Sequence, residues 1–211
     1  MGLLNINNRP SFTEEAELLA RGIRLIAGVD EVGRGSIAGP VVAAAVILPD
    51  NISASWLAEV RDSKQLSPLK REILARHIRG TAISFGIGAV SHRLIDTLGI
   101  ARANRLAMKM AIEKLVPVPQ YLLIDYLHLP LVNLPQKGIT DGDCKCFSIA
   151  CASIVAKVAR DEMMVRMDRL FSGYRLAENK GYCTEAHVAG LSRWGPSPIH
   201  RRTFEPVRGY L

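Results

Sequence analysis

Residues 25–48, LIAGVDEVGRGSIAGPVVAAAVIL, give the strongest indication of the fold. Two apolar runs, Leu25–Asp30 and Val41–Leu48, flank a glycine-rich segment. Short apolar runs that are rich in Val and Ile and bounded by Gly or Pro are typical of buried strands. A connection this short favours antiparallel neighbours. We therefore expect two buried antiparallel strands, with Asp30 and Glu31 at the end of the first.

Further strands and helices are predicted on both sides of this pair. Strand-like runs cover Ala82–Val90 and Tyr121–Asp125. Helices are predicted by periodicity, capping residues and prolines at Ser11–Leu19 (Ser11 and Glu14 at capping-box spacing), Ser67–Ile78 (Pro68 in the first turn), Ile100–Val116 (stopped by Pro117 and Pro119) and Ser148–Phe171. This order predicts an α/β fold, a mixed sheet with helices on both faces.

The composition is that of a globular protein, with 211 residues of which 48% are hydrophobic and 22% charged. We expect a main body over residues 1–172 and a C-terminal helical region over residues 173–211, in which Gly173–Gly181 is the link. The C-terminal region either forms a small lobe or belongs to the same domain. The longest apolar run is too short to span a bilayer, and MGLLNINNRPSFTEE lacks a signal-peptide pattern. A cytoplasmic protein with no membrane partner is expected.

Charge and cysteine content narrow the function classes. The net charge of +7 favours a polyanionic partner, and the alternative is a solvated basic surface with no partner. The four cysteines match neither a paired C-x-x-C zinc site nor a disulfide framework, so we interpret them as reduced thiols.

Four carboxylates predict a divalent metal site. Asp30 and Glu31 follow the first strand, Asp125 ends the fourth, and Asp143 precedes the longest helix. Carboxylates brought together repel one another unless a cation or shared protons relieve the repulsion, and a divalent metal is the simplest relief. Adjacent strand residues point to opposite faces, so Asp30 and Glu31 can share one site if the strand ends or bulges there. Alternatively, Asp125 caps a helix and Asp143 is a turn acid.

The glycine-rich segment does not predict nucleotide binding. Gly33, Gly35 and Ala38 fit G-x-G-x-x-A, but that fingerprint must open a helix, and here the next residues lead into a strand. The glycines either form a simple tight turn or, with Arg34, form a turn whose amides and guanidinium hold a phosphate or a sugar edge.

Other basic and aromatic residues suit a nucleic acid. Lys64, in the motif DSK, either faces solvent or contacts a phosphate. Lys180 and Tyr182 precede a set of arginines suited to neutralising a phosphate backbone, namely Arg193, Arg201, Arg202 and Arg208. The five histidines have no metal-binding spacing, and no serine or cysteine nucleophile motif occurs in the sequence.

Taken in order, these motifs resemble the bacterial ribonuclease HII family, the type 2 ribonucleases H. The matching stretches are DEVGRG at 30–35, AGPVVAAAVIL at 38–48, DSKQLS at 62–67, ASIVAKVARD at 152–161, NKGY at 179–182 and PIHRR at 198–202. The resemblance implies a ribonuclease H-like fold with two divalent ions, Mg²⁺ or Mn²⁺, in the working complex. It implies hydrolysis of RNA in RNA–DNA hybrids and incision 5′ to single ribonucleotides in duplex DNA, leaving 3′-hydroxyl and 5′-phosphate ends.

The resemblance also implies residue roles. Asp30, Glu31, Asp125 and Asp143 match the active-site carboxylates, Gly33, Arg34 and Gly35 match the loop that reads the RNA–DNA junction, and Tyr182 matches its aromatic partner. In three places the sequence departs from the family pattern. Tyr126 replaces a small residue and puts access beside Asp125 in doubt, Cys183 gives GYCT for GYGT, and Ser36 replaces a frequent proline.

Two other functions remain open at this point. One is a type 3 ribonuclease H, whose usual N-terminal substrate-binding domain has no counterpart in this sequence. The other is a catalytically silent hybrid-binding protein, although clustered acids would oppose the binding of a polyanion. No replication or repair partner can be identified from the sequence.

Overall fold

The protein is built around one five-stranded mixed sheet. The structure, a computed structural model, describes residues 9–211; residues 1–8, which belong to the predicted 1–172 body and to the stretch assessed for a signal peptide, lie outside the described residues. The strands are β1 (Ile26–Val32), β2 (Val41–Ile47), β3 (Ser84–Val90), β4 (Tyr121–Asp125) and β5 (Gln136–Ile139), in the order β3-β2-β1-β4-β5. β1–β2 and β2–β3 are antiparallel, whereas β1–β4 and β4–β5 are parallel. The mixed sheet and its antiparallel central pair are confirmed.

The four predicted helices are present, and shorter ones join them. The helices are α1 (Thr13–Ala20), α2 (Pro68–Thr81), α3 (His92–Leu98), α4 (Ile100–Ile112), α5 (Gly142–Lys145), α6 (Phe147–Leu170), α7 (Leu176–Asn179) and α8 (Glu185–Trp194). α4 ends before the predicted Val116, because the chain leaves the helix in a turn already at Glu113. β5 and α3 were not predicted from the sequence. Ser91, whose hydroxyl accepts from the Leu94 amide, caps α3 and was an unused signal.

The predicted capping box of α1 is wrong. The helix begins at Thr13, and its N-cap residue is Phe12. The backbone of Ser11 instead pairs with the start of α6, accepting from the Phe147 amide at 3.0 Å. Glu14 forms an ion pair with Lys137 at 2.6 Å. By contrast, Ser67 caps α2 as predicted.

The hydrophobic core lies on both faces of the sheet. Every residue of β2 is buried, and alternate side chains contribute to two separate apolar clusters. Ala43 and Ile47 pack towards α4, whereas Ala44 and Val46 pack towards α6. A strand buried on both faces needs a continuous apolar run, which explains the sequence VVAAAVI. α2 packs outside α6.

The segment after α6 folds back onto the exit of the glycine-rich turn. Its apolar side chains form a cluster with Met164 of α6 and with Ile37 and Ala38, which follow the turn; the C-terminal members are Tyr174, Leu176, Leu191, Ile199 and Val207. This packing places Tyr182 beside the end of β1. Of the helices within residues 9–211, none is long and apolar enough to cross a bilayer.

Candidate metal centre and substrate cleft

Asp30, Glu31 and Asp125 meet at the carboxyl ends of β1 and β4. The two strands are parallel, and their register pairs Val29 with Ile124, so Asp30 and Asp125 follow as neighbours. Carboxylate oxygens of the three acids lie within 4.8 Å of one another. Side chains from parallel neighbouring strands thus form a compact group of oxygen donors.

An end or bulge of the strand at Asp30 and Glu31 was predicted as the condition for a shared site, but the structure shows neither. β1 keeps regular pairing with β2 as far as Val32 opposite Val42. The pairing that stops is that with β4, after Ile124. The β4 side of β1 is therefore open, and side chains that start on opposite faces can converge around this open edge.

The acids destabilise one another's charged forms. The pKa of Asp30 is raised well above its usual value, first by burial and then by the charges of Glu31 and Asp125. Burial and Asp125 also raise the pKa of Glu31, although Arg34 opposes the rise. Burial raises the pKa of Asp125, although the Gly142 amide donates to its Oδ1 at 2.7 Å.

One carboxylate oxygen of the three acids is buried without a hydrogen-bond partner within the described residues. Oε2 of Glu31 is buried and unpaired, which is costly for an acceptor in a protein interior. Clustered carboxylate oxygens of this kind are the ligands that Mg²⁺ and Mn²⁺ prefer. The donor set therefore fits a hard divalent cation.

Asp143 lies in a second acidic group beside the first. It is buried in the short helix α5, within 4.8 Å of donor atoms of Asp62 and Cys144. Burial and the charge of Asp143 raise the pKa of Cys144 to about 11. The cysteines at 144, 146, 151 and 183 are all free, as predicted.

Lys64 joins the two acidic groups. Its Nζ lies 3.6 Å from Oδ2 of Asp143. Burial alone would lower the pKa of Lys64, but the charges of Asp143, Asp62 and Asp30 outweigh it and raise the pKa. Its loop is held by Arg71, which donates to the carbonyls of Ser63 and Leu66 at 2.9 and 2.7 Å. The charged amine is thus stabilised at the cleft.

A single cleft of about 610 Å³ contains all the predicted site residues: Asp30, Glu31, Gly33, Arg34, Gly35, Lys64, Asp125, Asp143 and Tyr182. The sequence analysis did not assign Arg71, Ser153 and Lys157, which also line it. Ser153 and Lys157 are four residues apart on α6, so helical periodicity within ASIVAKVARD could have identified them. No comparable sequence signal marks Arg71.

The two glycines of the turn differ in what the fold requires. Gly33 is buried with φ +84°, and a Cβ there would lie 2.0 Å from Nε of Arg160. Gly35 is exposed, its φ lies outside the left-handed region, and its Cβ position faces open space. Within residues 9–211, the amides of Arg34 and Gly35 have no protein acceptor. Gly33 is therefore a structural requirement, whereas Gly35 leaves room for a ligand against the backbone.

Two buried arginines hold the turn from behind. Arg201 donates to the carbonyls of Gly33, Arg34 and Gly39 at 2.7, 2.9 and 3.1 Å. Arg160 donates to the carbonyls of Ala38, Pro40 and Lys180 at 3.3, 3.0 and 2.8 Å. Burial and the charge of Arg160 lower the pKa of Arg201 to about 9. The prediction that Arg201 contacts a phosphate is wrong, since its guanidinium is fully buried.

Tyr182 extends the surface formed by the turn. Its ring is partly exposed, with Nζ of Lys157 and Cζ of Arg160 at 6.0 and 5.6 Å from the ring centroid. The preceding carbonyl, of Gly181, accepts from the Ile37 amide at 2.9 Å. Tyr182 and the Gly33–Gly35 turn thus form one face of the cleft that the three acids also line.

The three departures from the family pattern have separate structural outcomes. Tyr126 has φ +57°, a conformation that favours glycine, but its side chain is 64% exposed and does not line the cleft. It therefore leaves the approach to Asp125 open. Cys183 is exposed next to Tyr182. Ser36 is fully buried, and its hydroxyl has no partner within the described residues.

Comparison with known proteins gives one consistent result. The family model described as Ribonuclease HII matches residues 27–207. A curated ribonuclease HII from Dehalococcoides mccartyi is 57% identical over 202 residues, covering 96% of this chain and 95% of the relative.

Solved structures show the same architecture. Ribonuclease H2 from Pyrococcus horikoshii matches with a TM-score of 0.72 at 25% identity, covering 88% of this chain and 96% of that one. Bst-RNase HIII in complex with Mn²⁺ has a TM-score of 0.64 at 18% identity, with coverages of 88% and 68%. The latter likeness is one of fold, and both structures support the ribonuclease H-like α/β fold that the motifs implied.

Proposed function

The chain belongs to the ribonuclease HII family, and on that premise we propose that Asp30, Glu31, Asp125 and Asp143 form its metal-dependent catalytic centre. The protein is a ribonuclease H, an endonuclease of the metal-dependent class that hydrolyses RNA strands paired with DNA. The type 3 alternative is disfavoured, because the matching family model is that of ribonuclease HII.

The unpartnered oxygen of Glu31 carries the proposal. It is buried at the point where the acids converge, and the cleft they line also contains Lys64, Arg34 and Tyr182. A catalytically silent hybrid-binding protein is the weaker alternative. In such a protein the clustered carboxylates would repel one another and the phosphodiester, and would therefore weaken binding of the hybrid.

Divalent cations held by the four carboxylates, two in the working complex, would supply a water of lowered pKa and positive charge beside the leaving 3′-oxygen. The protein's own groups position the substrate. Arg34, Lys64 and Lys157 place positive charge along the cleft, where they suit phosphate oxygens. Mg²⁺ and Mn²⁺ both fit this oxygen donor set.

The face of the cleft that is formed by Tyr182 and the Gly33–Gly35 turn suits recognition of a ribonucleotide. The 2′-hydroxyl distinguishes RNA from DNA, and the open amides of Arg34 and Gly35 offer it hydrogen-bond donors. The ring of Tyr182 suits packing on the adjacent sugar. We assign residues 1–172 to the catalytic body and residues 173–211 to a substrate-binding region, and we place the protein in the cytoplasm, where free thiols persist.

The test is cleavage of duplex DNA that carries one embedded ribonucleotide. With Mg²⁺ or Mn²⁺ we expect one cut on the 5′ side of the ribonucleotide, leaving 3′-hydroxyl and 5′-phosphate ends. Chelator should abolish it, and an all-DNA duplex of the same sequence is the matched control. Binding without cleavage in either metal, or cleavage that persists in chelator, would contradict the proposal.

A further inference from the structure

Two buried histidines lie directly beneath Tyr182. His187, on α8, and His200 are 0% and 1% exposed, and their Nε2 atoms are 3.0 Å apart. Nδ1 of His187 lies 2.9 Å from the carbonyl oxygen of Tyr182. Nδ1 of His200 lies 3.0 Å from the amide nitrogen and 2.8 Å from the hydroxyl of Ser197. The ribonuclease chemistry proposed above uses neither ring.

Hydrogen-bonding rules allow one arrangement of protons in this chain of groups. The Tyr182 carbonyl can only accept, so Nδ1 of His187 carries the proton and its Nε2 is an acceptor. Nε2 of His200 must then donate, which leaves its Nδ1 to accept from Ser197. The bonds therefore run in one direction, from Ser197 through both rings to the Tyr182 carbonyl.

Both rings are neutral in this arrangement. Burial lowers the pKa of His187, and burial together with His187 lowers the pKa of His200 to about 4. Tyr174 packs against both rings, at centroid distances of 6.2 and 4.8 Å. A second proton on His187 would set its Nε2–H against that of His200 across 3.0 Å, and a second proton on His200 would set its Nδ1–H against the Ser197 amide, also across 3.0 Å. The arrangement thus persists throughout the neutral pH range.

The pair also connects Tyr182 to the glycine-rich turn. His200 forms an isolated β-bridge with Ala38, and its neighbour Ile199 accepts from the Gly39 amide at 2.9 Å. The carbonyl of Tyr182 accepts from both His187 and the Thr184 amide, so both its lone pairs are used. One end of the pair is anchored next to the turn and the other end holds Tyr182.

We propose that His187 and His200 are positioning residues that hold Tyr182 against the Gly33–Gly35 turn, and that this spacing sets the preference for single embedded ribonucleotides. The inference rests on the proposed role of Tyr182 in reading the junction. A continuous RNA–DNA hybrid offers many registers for cleavage, whereas a single ribonucleotide offers one, so an error in spacing penalises the single ribonucleotide more.

The first test is spectroscopic and independent of activity. Two-bond ¹H–¹⁵N correlation spectra of histidine-labelled protein at neutral pH report which ring nitrogen is protonated. We expect His187 protonated at Nδ1 and His200 at Nε2, with His187→Asn and His200→Gln used for assignment. A His187 ring protonated at Nε2 would overturn the inference.

The second test compares variants that keep or remove the donor to Tyr182. Asn at position 187 retains an N–H near the place of Nδ1, whereas Leu does not. With His187→Leu we expect KM for the single-ribonucleotide duplex to rise roughly tenfold with kcat little changed, and KM for a continuous hybrid to change much less. His187→Asn should recover part of this loss. His77→Leu, at an exposed ring on α2, should change neither substrate. If His187→Leu does not fold, His200→Gln and His200→Leu provide the corresponding pair, since Gln keeps and Leu removes an N–H that can donate to Nε2 of His187.

Combining His187→Leu with Tyr182→Ala separates the possible failures. If the histidines act through Tyr182, His187→Leu should have no further effect on substrate preference once the ring is absent. A loss that persists undiminished in the double variant, or equal losses on both substrates with Leu and Asn, would overturn the inference. If Tyr182→Ala alone leaves the preference unchanged, the proposed role of Tyr182 has failed instead.

Discussion

The two faces of the cleft bury charge in opposite ways. On the acidic face, Asp30, Glu31 and Asp125 point at one another, and an oxygen of Glu31 has no partner within the described residues. The basic face is the Gly33–Gly35 turn with Arg160 and Arg201 behind it. These two arginines form no ion pair within the described residues, and their guanidinium groups donate hydrogen bonds to six backbone carbonyls. The two arginines of the basic face are satisfied by the protein's own backbone, whereas the proposed cation would complete the acidic face. Removing a charge should therefore have opposite effects on stability at the two faces.

The largest effect is expected from removing one charge on the acidic face. Asp125→Asn keeps the side-chain volume but weakens cation binding, so we expect cleavage of the single-ribonucleotide duplex to fall by roughly three orders of magnitude. Gel-resolved initial rates at saturating Mg²⁺ or Mn²⁺ measure it, with circular dichroism to verify folding. Asp30→Asn should behave alike. Full turnover in either variant would remove the acids from the catalytic role.

Removing a charge from the basic face should lower the free energy of unfolding. Arg201→Leu strips the buried carbonyls of Gly33, Arg34 and Gly39 of their donor, and we expect the free energy of unfolding to fall by about 3 kcal/mol. Urea denaturation measures the change. The control is Arg208→Leu, an exposed arginine paired with Glu205, which should cost less than about 0.5 kcal/mol. Similar losses in both variants would show that the buried carbonyls matter little.

The two glycines of the turn allow a sharper comparison within the basic face. Gly33→Ala meets Arg160 and an unfavourable φ, so it should lower stability by about 2 kcal/mol or more. Gly35→Ala has room and should leave stability within about 0.5 kcal/mol of wild type while weakening substrate binding roughly tenfold. Thermal denaturation and hybrid-binding titrations with chelator separate the two outcomes. If Gly35→Ala binds as tightly as wild type, the open amides do not face the substrate.

The acidic face should also give stability a characteristic pH dependence when metal is removed. The pKa values of Asp30, Glu31 and Asp125 are raised by folding, so the folded state holds more protons and loses stability as pH rises from about 4 through those raised values. Asp30→Asn removes part of this loss. Its stability relative to wild type should therefore grow with pH, by at most about 1.4 kcal/mol per pH unit. Denaturant unfolding in chelator at a series of pH values measures it, and a difference that is constant with pH would contradict the assignment.

The smallest effect is expected at the exposed charge of the turn. Arg34→Ala should lower the slope of the logarithm of hybrid affinity against that of salt concentration by about one unit, because one phosphate contact is lost. The matched control is Arg193→Ala: the sequence grouped Arg193 with the arginines suited to phosphates, but it is exposed and does not line the cleft. Binding titrations in chelator at several salt concentrations measure both slopes. Equal slopes for wild type and Arg34→Ala would place Arg34 away from the phosphates.

Much of the fold and of the candidate site follows from local sequence rules. β2 is predicted because seven consecutive apolar residues fit a strand covered on both faces, and α2 because Ser67 and Pro68 mark its start. The carboxylates stand out because acids at strand ends are poorly explained by packing. The capping role predicted for Ser11 was wrong, because a capping residue and a residue that pairs with distant backbone can have the same local sequence.

Most of the elements, the candidate acids and the motifs of the turn can be predicted from local sequence, because each depends on neighbours in the chain. How these parts combine depends on tertiary contacts. Asp30 and Glu31 meet Asp125 because β1 pairs with its parallel partner β4 only as far as Val29 but with β2 as far as Val32, and that register is set by long-range strand pairing. Arg201 belongs to the buried support of the turn, and His187 lies against His200, because α8 and the C-terminal segment fold back onto residues 33–40. Burial and proximity are properties of the folded chain, and they decide whether a charged side chain binds a ligand or its own backbone.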